Sequence, residues 1–341
     1  MRCCPNCFGD RGLRRSIFPL LTSDVGTCDY CQSTNSPLVN PPLLAEYFAP
    51  LINIYEPNPT GKPLIAWLKN DWFMLDHERM DDARSAELLT EVLENSELVT
   101  QNFIPSPRFE INRLDQWNEL RDELMYKNRY FPDAHIDVAR LEQLLEHLPA
   151  DDVPTEWFRA RIRDGDAAYP VAEMGAPPKR IASHGRANPP GIPYLYLAST
   201  PATAVSEIRP HTGEVACVAD FSLPADIDIV DLRNPRKLVS PFLLGDETEI
   251  GLMRNDITFL ERLGDELTIP ILPQAAAIDY VPSQYLCEFI KKQEYDGVLY
   301  RSAVGDGVNL ALFDPTRATV RGVQQWRVRR VSVDIAAVTQ D

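Results

Sequence analysis

The feature that most constrains this chain is a duplicated Cys-x-x-Cys motif near its start. Cys4 and Cys7 form the first pair, and Cys28 and Cys31 form the second after 20 intervening residues. Two such pairs at this spacing complete the tetrahedral thiolate set of a structural zinc ion, whereas a redox motif would not need to be duplicated. Five of the seven cysteines lie in the first 31 residues, which is a poor disulfide framework and suits a reducing compartment. The sequence therefore predicts a zinc-binding module over residues 1–40 in a cytoplasmic protein.

The composition is that of a globular protein without broad affinity for anionic surfaces. Apolar residues make up 44% and charged residues 25% of the 341 residues, a length that suits two domains. The formal net charge of −16 disfavours nucleic acid and membrane surfaces as partners, although it leaves room for a local basic site. The apolar run at 17–21 is too short to span a bilayer. Neither a membrane segment nor a signal peptide is expected.

Two kinds of periodicity divide the rest of the chain. Apolar residues recur at helical spacing over residues 41–150, clearly so between Ile136 and Leu148. The stretch LPADDVP at 148–154 ends this pattern, and short β-branched and aromatic runs follow, separated by short helices. The sequence predicts an α+β protein with a domain boundary near residue 152. Its segments are a zinc module at 1–40, a helical bundle at 41–150, a mixed α/β domain at 154–322, and a C-terminal strand and tail at 323–341.

Residues 185–208, GRANPPGIPYLYLASTPATAVSEI, carry three polar side chains on successive elements. Arg186 precedes a proline-rich loop, Tyr196 lies on the next strand, and Glu207 falls two turns into the next helix. A carboxylate beside the packed face of a helix is costly unless something pairs with it. Taken singly, each of the three is best explained as an ordinary surface or core residue. A functional site requires that they converge on one ligand.

Further polar residues occur at strand ends elsewhere in the same segment. In EYDGVLYRSAVGDGVNLALF at 294–313, Ser302 ends a strand, a loop with glycines follows, and Asn309 opens the next strand. A small hydroxyl beside loop glycines suits a close ligand contact. Upstream, Arg159 and Arg161 share one face of a strand, where either could bind an anion.

Together these segments resemble the RES family of NAD⁺-consuming toxins, named for an arginine, a glutamate and a serine. The resemblance is carried by FRAR, GRANPPGIPYLYLA, TAVSEIRP and DGVLYRSAVGDGVNLALF, and it covers about residues 154–322. It assigns the three named positions to Arg186, Glu207 and Ser302, and the family tyrosine to Tyr196. The interval between the glutamate and the serine is longer than in compact members. The first 150 residues resemble the zinc-containing, HEPN-like helical region that is fused to some RES domains.

The resemblance implies a fold similar to ADP-ribosyltransferases of the diphtheria-toxin type, and cleavage of NAD⁺ between nicotinamide and ribose. Arg186 would bind the pyrophosphate, and Tyr196 would offer a flat face to the nicotinamide. Glu207 would stabilise the developing cation of the ribose, and Ser302 would hydrogen-bond the carboxamide or position the glutamate. The expected outcome is NAD⁺ depletion, with growth arrest or phage defence.

Other contacts and partners also follow from the resemblance. Arg159 or Arg161 would add a second phosphate contact, and Asn309 is included among the ligand-binding residues. NAD⁺ is expected as the substrate and Zn²⁺ as a structural ion. An antitoxin or other regulatory protein is expected as a partner, because unrestrained NAD⁺ loss would kill the host. The sequence also leaves room for a homo-oligomer.

Three alternatives stay open. The acceptor of ADP-ribose could be water or phosphate, or a group on a protein or nucleic acid, which would make the protein an ADP-ribosyltransferase. Arg129 and His135 match the Arg-x4–6-His pattern of HEPN ribonucleases, but Pro132 would disrupt the helix that presents such a motif, so a loop between two helices is favoured. The N-terminal half could also be a binding module that senses a trigger or docks a partner.

Overall fold

A computed structural model describes residues 1–22, 24–151, 153–272, 274–333, 335 and 337. The chain forms two compact units, one of Met1–Asn118 with Asn234–Arg262 and the other of Glu119–Arg233 with Leu263–Asp341. The chain therefore leaves the second unit after Arg233 and returns to it at Leu263. The boundary predicted near residue 152 falls on a position outside the described residues, and the four predicted segments stay a prediction.

Helices occur in both units, and they are numbered here in chain order. Their bounds are α1 Pro5–Phe8, α2 Phe18–Leu21, α3 Ala45–Ile52, α4 Leu64–Trp72, α5 Asp82–Leu93, α6 Ser96–Thr100, α7 Arg113–Tyr126, α8 Val138–Leu145, α9 Pro201–Glu207, α10 Pro235–Leu238, α11 Glu247–Thr268, α12 Ala276–Asp279 and α13 Val281–Lys292. A π-helical turn at Leu13–Ile17 and several 3₁₀ turns lie between them.

The strands form one large sheet and two small ones. Their bounds are β1 Asp24–Gly26, β2 Ser36–Leu38, β3 Tyr55–Pro63, β4 Asn102–Pro105, β5 Glu156–Ile162, β6 Leu195–Ala198, β7 Val215–Ser222, β8 Ile229–Asp231, β9 Gly297–Arg301, β10 Val308–Leu312 and β11 Thr319–Arg327. The mixed α+β class expected from the sequence is confirmed.

The first unit is mainly helical, with β1–β2 and β3–β4 as two-stranded antiparallel sheets. One of its buried polar groups is the carboxylate of Asp71, which accepts hydrogen bonds from the hydroxyl of Tyr55 at 2.9 Å and from Nε of Arg254 at 2.5 Å. The indole of Trp72 donates to the same Tyr55 hydroxyl at 3.0 Å. The buried carboxylate of Asp71 therefore has both a cationic partner and a hydroxyl donor, as buried polar groups in native proteins usually do.

The second unit is built on a seven-stranded sheet in the order β11-β7-β5-β6-β10-β9-β8. Its pairs are antiparallel except β8 with β9, which run parallel. Because side chains alternate along each strand, the sheet has two distinct faces. One face buries large apolar side chains, including Trp157, Leu195, Leu197, Phe221, Leu299 and Leu310. The other carries the smaller residues Ala160, Ala198, Ala216 and Val218, which pack with Ala204 of α9.

The C-terminal strand β11 lies at one edge of this sheet and ends at Arg327. It contains the start of the strand and tail predicted for 323–341, of which residues 334, 336 and 338–341 lie outside the described residues. Among the helices that the structure describes, none combines the length and the apolar character needed to cross a bilayer.

Candidate active site

A cavity of about 350 Å³ is lined by residues of α9 and of four strands of the seven-stranded sheet. Its volume falls in the range of about 300–1,000 Å³ that is usual for small-molecule sites. Five predicted site residues line it, namely Arg159, Arg186, Tyr196, Glu207 and Asn309. Arg161 and Ser302 do not line the cavity, although Ser302 contacts a residue that does. Residues separated by 150 positions in the sequence thus meet around one concave space.

Glu207 is the last residue of α9, a helix whose start is fixed by the side chain of Thr200 accepting a backbone hydrogen bond. The hydroxyl of Ser302 donates to Oε1 of Glu207 at 2.7 Å, and Nδ2 of Asn309 donates to the same oxygen at 2.6 Å. No described residue donates a hydrogen bond to Oε2. The carboxylate is therefore held in one orientation with a second oxygen free to meet a ligand.

The strands β9 and β10 bring these two donors to α9. Asn309 pairs with Ala198 on β6 and with Tyr300 on β9, so it projects from the middle of the sheet. The loop between the two strands packs closely on α9, since a Cβ atom on Gly307 would overlap the hydroxyl of Thr203. A glycine at this position lets the loop carrying Ser302 approach the helix that carries the glutamate.

Tyr196 forms a wall of the cavity with its ring and uses its hydroxyl to hold the neighbouring loop. The hydroxyl accepts a hydrogen bond from the backbone N–H of Ala187 at 2.9 Å and donates to Oδ1 of Asn188 at 2.7 Å. Burial raises the pKa of Tyr196 above that of an ordinary phenol, so the residue stays neutral. Its remaining contribution to a ligand is its aromatic surface.

Gly185 is the point at which this loop meets the tyrosine. A Cβ atom there would overlap both the hydroxyl of Tyr196 and Oδ1 of Asn188. We expect Gly185→Ala to lower the free energy of unfolding by about 1–3 kcal/mol, because the added methyl overpacks the contact. Gly175→Ala is the matched control, since a Cβ atom at Gly175 meets nothing within 4 Å. Urea unfolding of the two variants measures the difference, and equal stabilities would contradict the tight contact.

Arg186 is fixed by the start of α13. The hydroxyl of Ser283, a fully buried residue, donates to the backbone carbonyl of Arg186 at 2.6 Å, and the amide of Gln284 donates to the carbonyl of Gly185 at 2.8 Å. The guanidinium lies 5.3 Å from the ring centre of Tyr280, and its Nη1 donates to the carbonyl of Ile269 at 2.8 Å. Since a guanidinium has five N–H donors, several of them can still bind an anion.

The structure separates the two arginines of β5. Nη1 of Arg159 donates to the carbonyl of Met174 at 2.9 Å and also to that of Gly175, and the residue lines the cavity. Arg161 donates to the carbonyl of Glu173 at 2.7 Å and stacks over the ring of Tyr169 at 4.0 Å, away from the cavity lining. Burial, together with the neighbouring Arg161, lowers the pKa of Arg159 to about 10, so it remains cationic at neutral pH.

Reasoning from the sequence missed the aromatic residues that complete the cavity. Tyr280 lies between α12 and α13, with its ring centre 6.3 Å from that of His184, and nothing in the local sequence indicates a site there. Tyr300 lines the cavity from β9 and is only 4% exposed. It stands two residues before Ser302 and opposite Asn309, so the two-residue period of a strand could have predicted it.

The four cysteines of the duplicated motif meet in the first unit. Sγ of Cys4 lies 3.4 Å from that of Cys31, and Sγ of Cys7 lies 3.3 Å from that of Cys28. All four sulfurs are buried and lie within 4.8 Å of one another. Four thiolates about 2.3 Å from a tetrahedral zinc ion are about 3.8 Å apart, so this cluster has the geometry of a metal-ligand set.

The thiols of this cluster do not titrate as isolated groups. Hydrogen bonds from Cys4 and Cys7 lower the pKa of Cys28 far below the ordinary value, while their hydrogen bonds to Cys28 raise the pKa values of Cys4 and Cys7. The thiolate of Cys28 is therefore stabilised by the thiols of Cys4 and Cys7. A cation at the centre would favour loss of the other protons. Cys3 is buried beside the cluster but donates to the carbonyl of Val39 instead.

Arg129 and His135 lie in the loop between α7 and α8, as expected from Pro132. Nε of Arg129 donates to the carbonyl of Leu124 at 3.3 Å, and Nδ1 of His135 lies 3.0 Å from the carbonyl of Asp133. The pair is not presented on a helix, and no observation in the described part of the chain favours ribonuclease chemistry at these residues.

A protein-family model described as the RES domain matches residues 156–331, just over half of the chain. This chain belongs to the RES-domain family. The RES domain so defined includes all seven strands of the large sheet and every residue that lines the cavity. The recognition drawn from the arginine, glutamate and serine segments is confirmed for this part of the chain.

Solved structures similar to this RES-domain chain include the crystal structure of the MbcT–MbcA toxin–antitoxin complex of M. tuberculosis. The TM-score is 0.32 and the sequence identity 16%, over 55% of this chain and 96% of that chain. None of the curated proteins compared with this chain matches it. Membership of the family rests on the RES match itself.

Proposed function

We propose that this protein cleaves NAD⁺ at the bond between nicotinamide and ribose and thereby depletes NAD⁺. The observation that carries the proposal is the carboxylate of Glu207, oriented at the cavity by Ser302 and Asn309 through one oxygen. When this bond breaks, its electron pair moves to the nicotinamide nitrogen and positive charge develops on the ribose. A fixed carboxylate beside the ribose stabilises that charge without reorganising.

The cationic and aromatic residues of the cavity suit the rest of a dinucleotide. Arg186 and Arg159 both line it, and a guanidinium matches the oxygens of a pyrophosphate with paired N–H donors. The ring of Tyr196 provides a flat apolar wall for the nicotinamide, because its hydroxyl is already committed to the loop at 187–188. Phosphate groups, ribose and base would thus each meet a complementary group.

The two arginines of β5 make a matched pair for testing this binding mode. We expect Arg159→Met to lower kcat/KM for NAD⁺ by about ten- to hundredfold, because a charge-assisted hydrogen bond to phosphate is lost. Arg161→Met removes the same charge from the same strand face but from outside the cavity lining, so it should change kcat/KM by less than about threefold. Steady-state kinetics of folded protein measure both values. A larger effect at Arg161 than at Arg159 would contradict the assignment.

For the first unit, we propose that the four clustered cysteines hold a structural zinc ion within a HEPN-like region. The proposal is supported by four buried sulfurs at metal-ligand spacing and by the motif pattern. Such an ion would fix the first segment of the chain and supply no reactive group. We also propose that the RES domain shares the fold of ADP-ribosyltransferases, which an experimental structure with bound NAD⁺ would test.

The NAD⁺-cleaving activity would have to be inhibited in the host cell until it is needed. Continuous NAD⁺ cleavage would kill the host, so we propose that a separate antitoxin or regulatory protein binds this chain. A host that grows normally while the protein cleaves NAD⁺ without a partner would contradict this view.

The acceptor is proposed to be water or phosphate rather than a macromolecule. In that case purified protein releases nicotinamide from NAD⁺ when no macromolecule is present. If water is the acceptor, the second product is ADP-ribose whether or not phosphate is added. If phosphate is the acceptor, the second product is the 1-phosphate of ADP-ribose. Release that begins only when protein or nucleic acid is supplied would instead indicate ADP-ribosyl transfer.

The proposed function is tested in cells by measuring NAD⁺ and growth together. Expression of the wild type should lower NAD⁺ before growth stops, and expression of Glu207→Ala should leave both unchanged. Growth arrest by the wild type at an unchanged NAD⁺ level would refute the proposed function.

A further inference from the structure

Tyr300 is a buried phenol whose hydroxyl has no hydrogen-bond partner among the described residues. It lines the cavity from β9, and the residue as a whole is 4% exposed. Its oxygen is not among the sealed, unpartnered polar atoms of the interior, so it keeps contact with the cavity space. Because this hydroxyl opens into the cavity and not into the packed interior, a ligand bound there can reach it. A ligand that fills the cavity would supply the missing partner.

The groups around Tyr300 indicate which part of a ligand it meets. Burial is the main cause that raises the pKa of Tyr300 well above that of an ordinary phenol, and Tyr196 and Glu207 raise it further. The positive charge of Arg186 acts in the opposite direction. The phenol is therefore protonated at neutral pH, and it lines the same cavity as the glutamate and the arginine. As a protonated phenol, it can donate a hydrogen bond to a ligand atom in the cavity.

Resting on the NAD⁺ cleavage proposed above, we propose that Tyr300 is a substrate-binding residue whose hydroxyl donates a hydrogen bond to an oxygen of the nicotinamide-side phosphate. That phosphate lies between the pyrophosphate oxygens proposed for Arg186 and the ribose proposed for Glu207. Its charge does not change when the glycosidic bond breaks. The hydrogen bond therefore contributes equally to substrate and transition state, which affects KM and not kcat.

The test uses Tyr300→Phe with Tyr194→Phe as its matched control. Tyr194 is also a buried phenol whose oxygen has no hydrogen-bond partner in the described part of the chain, but it does not line the cavity. Two measurements are made on each folded, full-length variant, namely KM and kcat for NAD⁺ and the Kd for ADP-ribose by calorimetry. ADP-ribose carries the same phosphate and needs no cleavage to bind.

For Tyr300→Phe we expect KM and the Kd for ADP-ribose to rise about ten- to hundredfold, with kcat within about twofold of the wild type. The melting temperature should stay close to that of the wild type, because the hydroxyl makes no hydrogen bond to another described residue. Tyr194→Phe should leave both constants unchanged. An unchanged Kd in Tyr300→Phe, a loss confined to kcat, or a fall in melting temperature that accounts for the loss would each overturn the inference.

Two different results separate the role of Tyr300 from NAD⁺ cleavage itself. If the wild type releases nicotinamide and Tyr300→Phe behaves like the control, the tyrosine assignment is wrong while NAD⁺ cleavage stands. If the wild type neither cleaves NAD⁺ nor binds ADP-ribose, the proposed function itself is wrong.

Discussion

Glu207→Gln is expected to lower the rate of nicotinamide release by about 10²- to 10⁴-fold, with the fold unchanged. Glutamine keeps a carbonyl oxygen that can accept the hydrogen bonds of Ser302 and Asn309, so the side chain can stay in place. What is lost is the negative charge that would stabilise the ribose cation. Because the charge is needed only as the bond breaks, kcat should fall far more than KM rises. Chromatographic measurement of nicotinamide gives the rate.

Glu288→Gln is the matched control for this loss of charge. Glu288 is an exposed residue of α13 that does not line the cavity, and its replacement should leave the rate within about twofold of the wild type. Circular dichroism shows that both variants are folded. If folded Glu207→Gln turns over NAD⁺ at a rate close to that of the wild type, the glutamate does not carry the reaction.

Removing the metal proposed for the cysteine cluster is expected to unfold the N-terminal segment over about residues 1–40. Binding of a structural zinc ion contributes about 10–16 kcal/mol in small zinc modules, which is as large as the whole free energy of unfolding of many domains. We expect purified protein to carry one zinc ion per chain, and Cys28→Ser to lose it together with the stability of this segment. Metal analysis and limited proteolysis measure the two effects.

Cys3→Ser is the control that removes a buried thiol without removing a proposed zinc ligand. Cys3 is buried in the same segment, but its thiol donates to the carbonyl of Val39 and lies outside the four-sulfur cluster. This variant should keep one zinc ion per chain. A wild type that is fully folded with no metal, and whose folding is indifferent to chelation, would contradict the proposed zinc site.

Much of the candidate site could be predicted because its residues lie on short, regular elements with clear local signals. The proline-rich loop, the strand and the capped helix of residues 185–208 appear in the structure in that order. The two-residue period of a strand places Arg159 and Arg161 on one face. The hydrogen bonds of Ser302 and Asn309 to Glu207 show that the downstream segment returns to the same cavity.

The remaining features depend on tertiary contacts that local patterns do not encode. The long interval before Ser302 contains Asn234–Arg262, which belongs to the first unit, and no change of periodicity marks its ends. The choice between Arg159 and Arg161 depends on what packs above each side chain. Tyr280 enters the cavity from the junction of two helices, where an aromatic residue is equally compatible with an ordinary core position.

The reaction proposed for this cavity is cleavage of the bond between nicotinamide and ribose in NAD⁺. The most direct measurement is nicotinamide released from NAD⁺ by the purified, folded full-length protein, with no macromolecule added, beside the Glu207→Gln variant. We expect the wild type to release one nicotinamide per NAD⁺ consumed, and the variant to release almost none. NAD⁺ that stays intact in the presence of the wild type, or equal release by the two proteins, would rule out cleavage through Glu207.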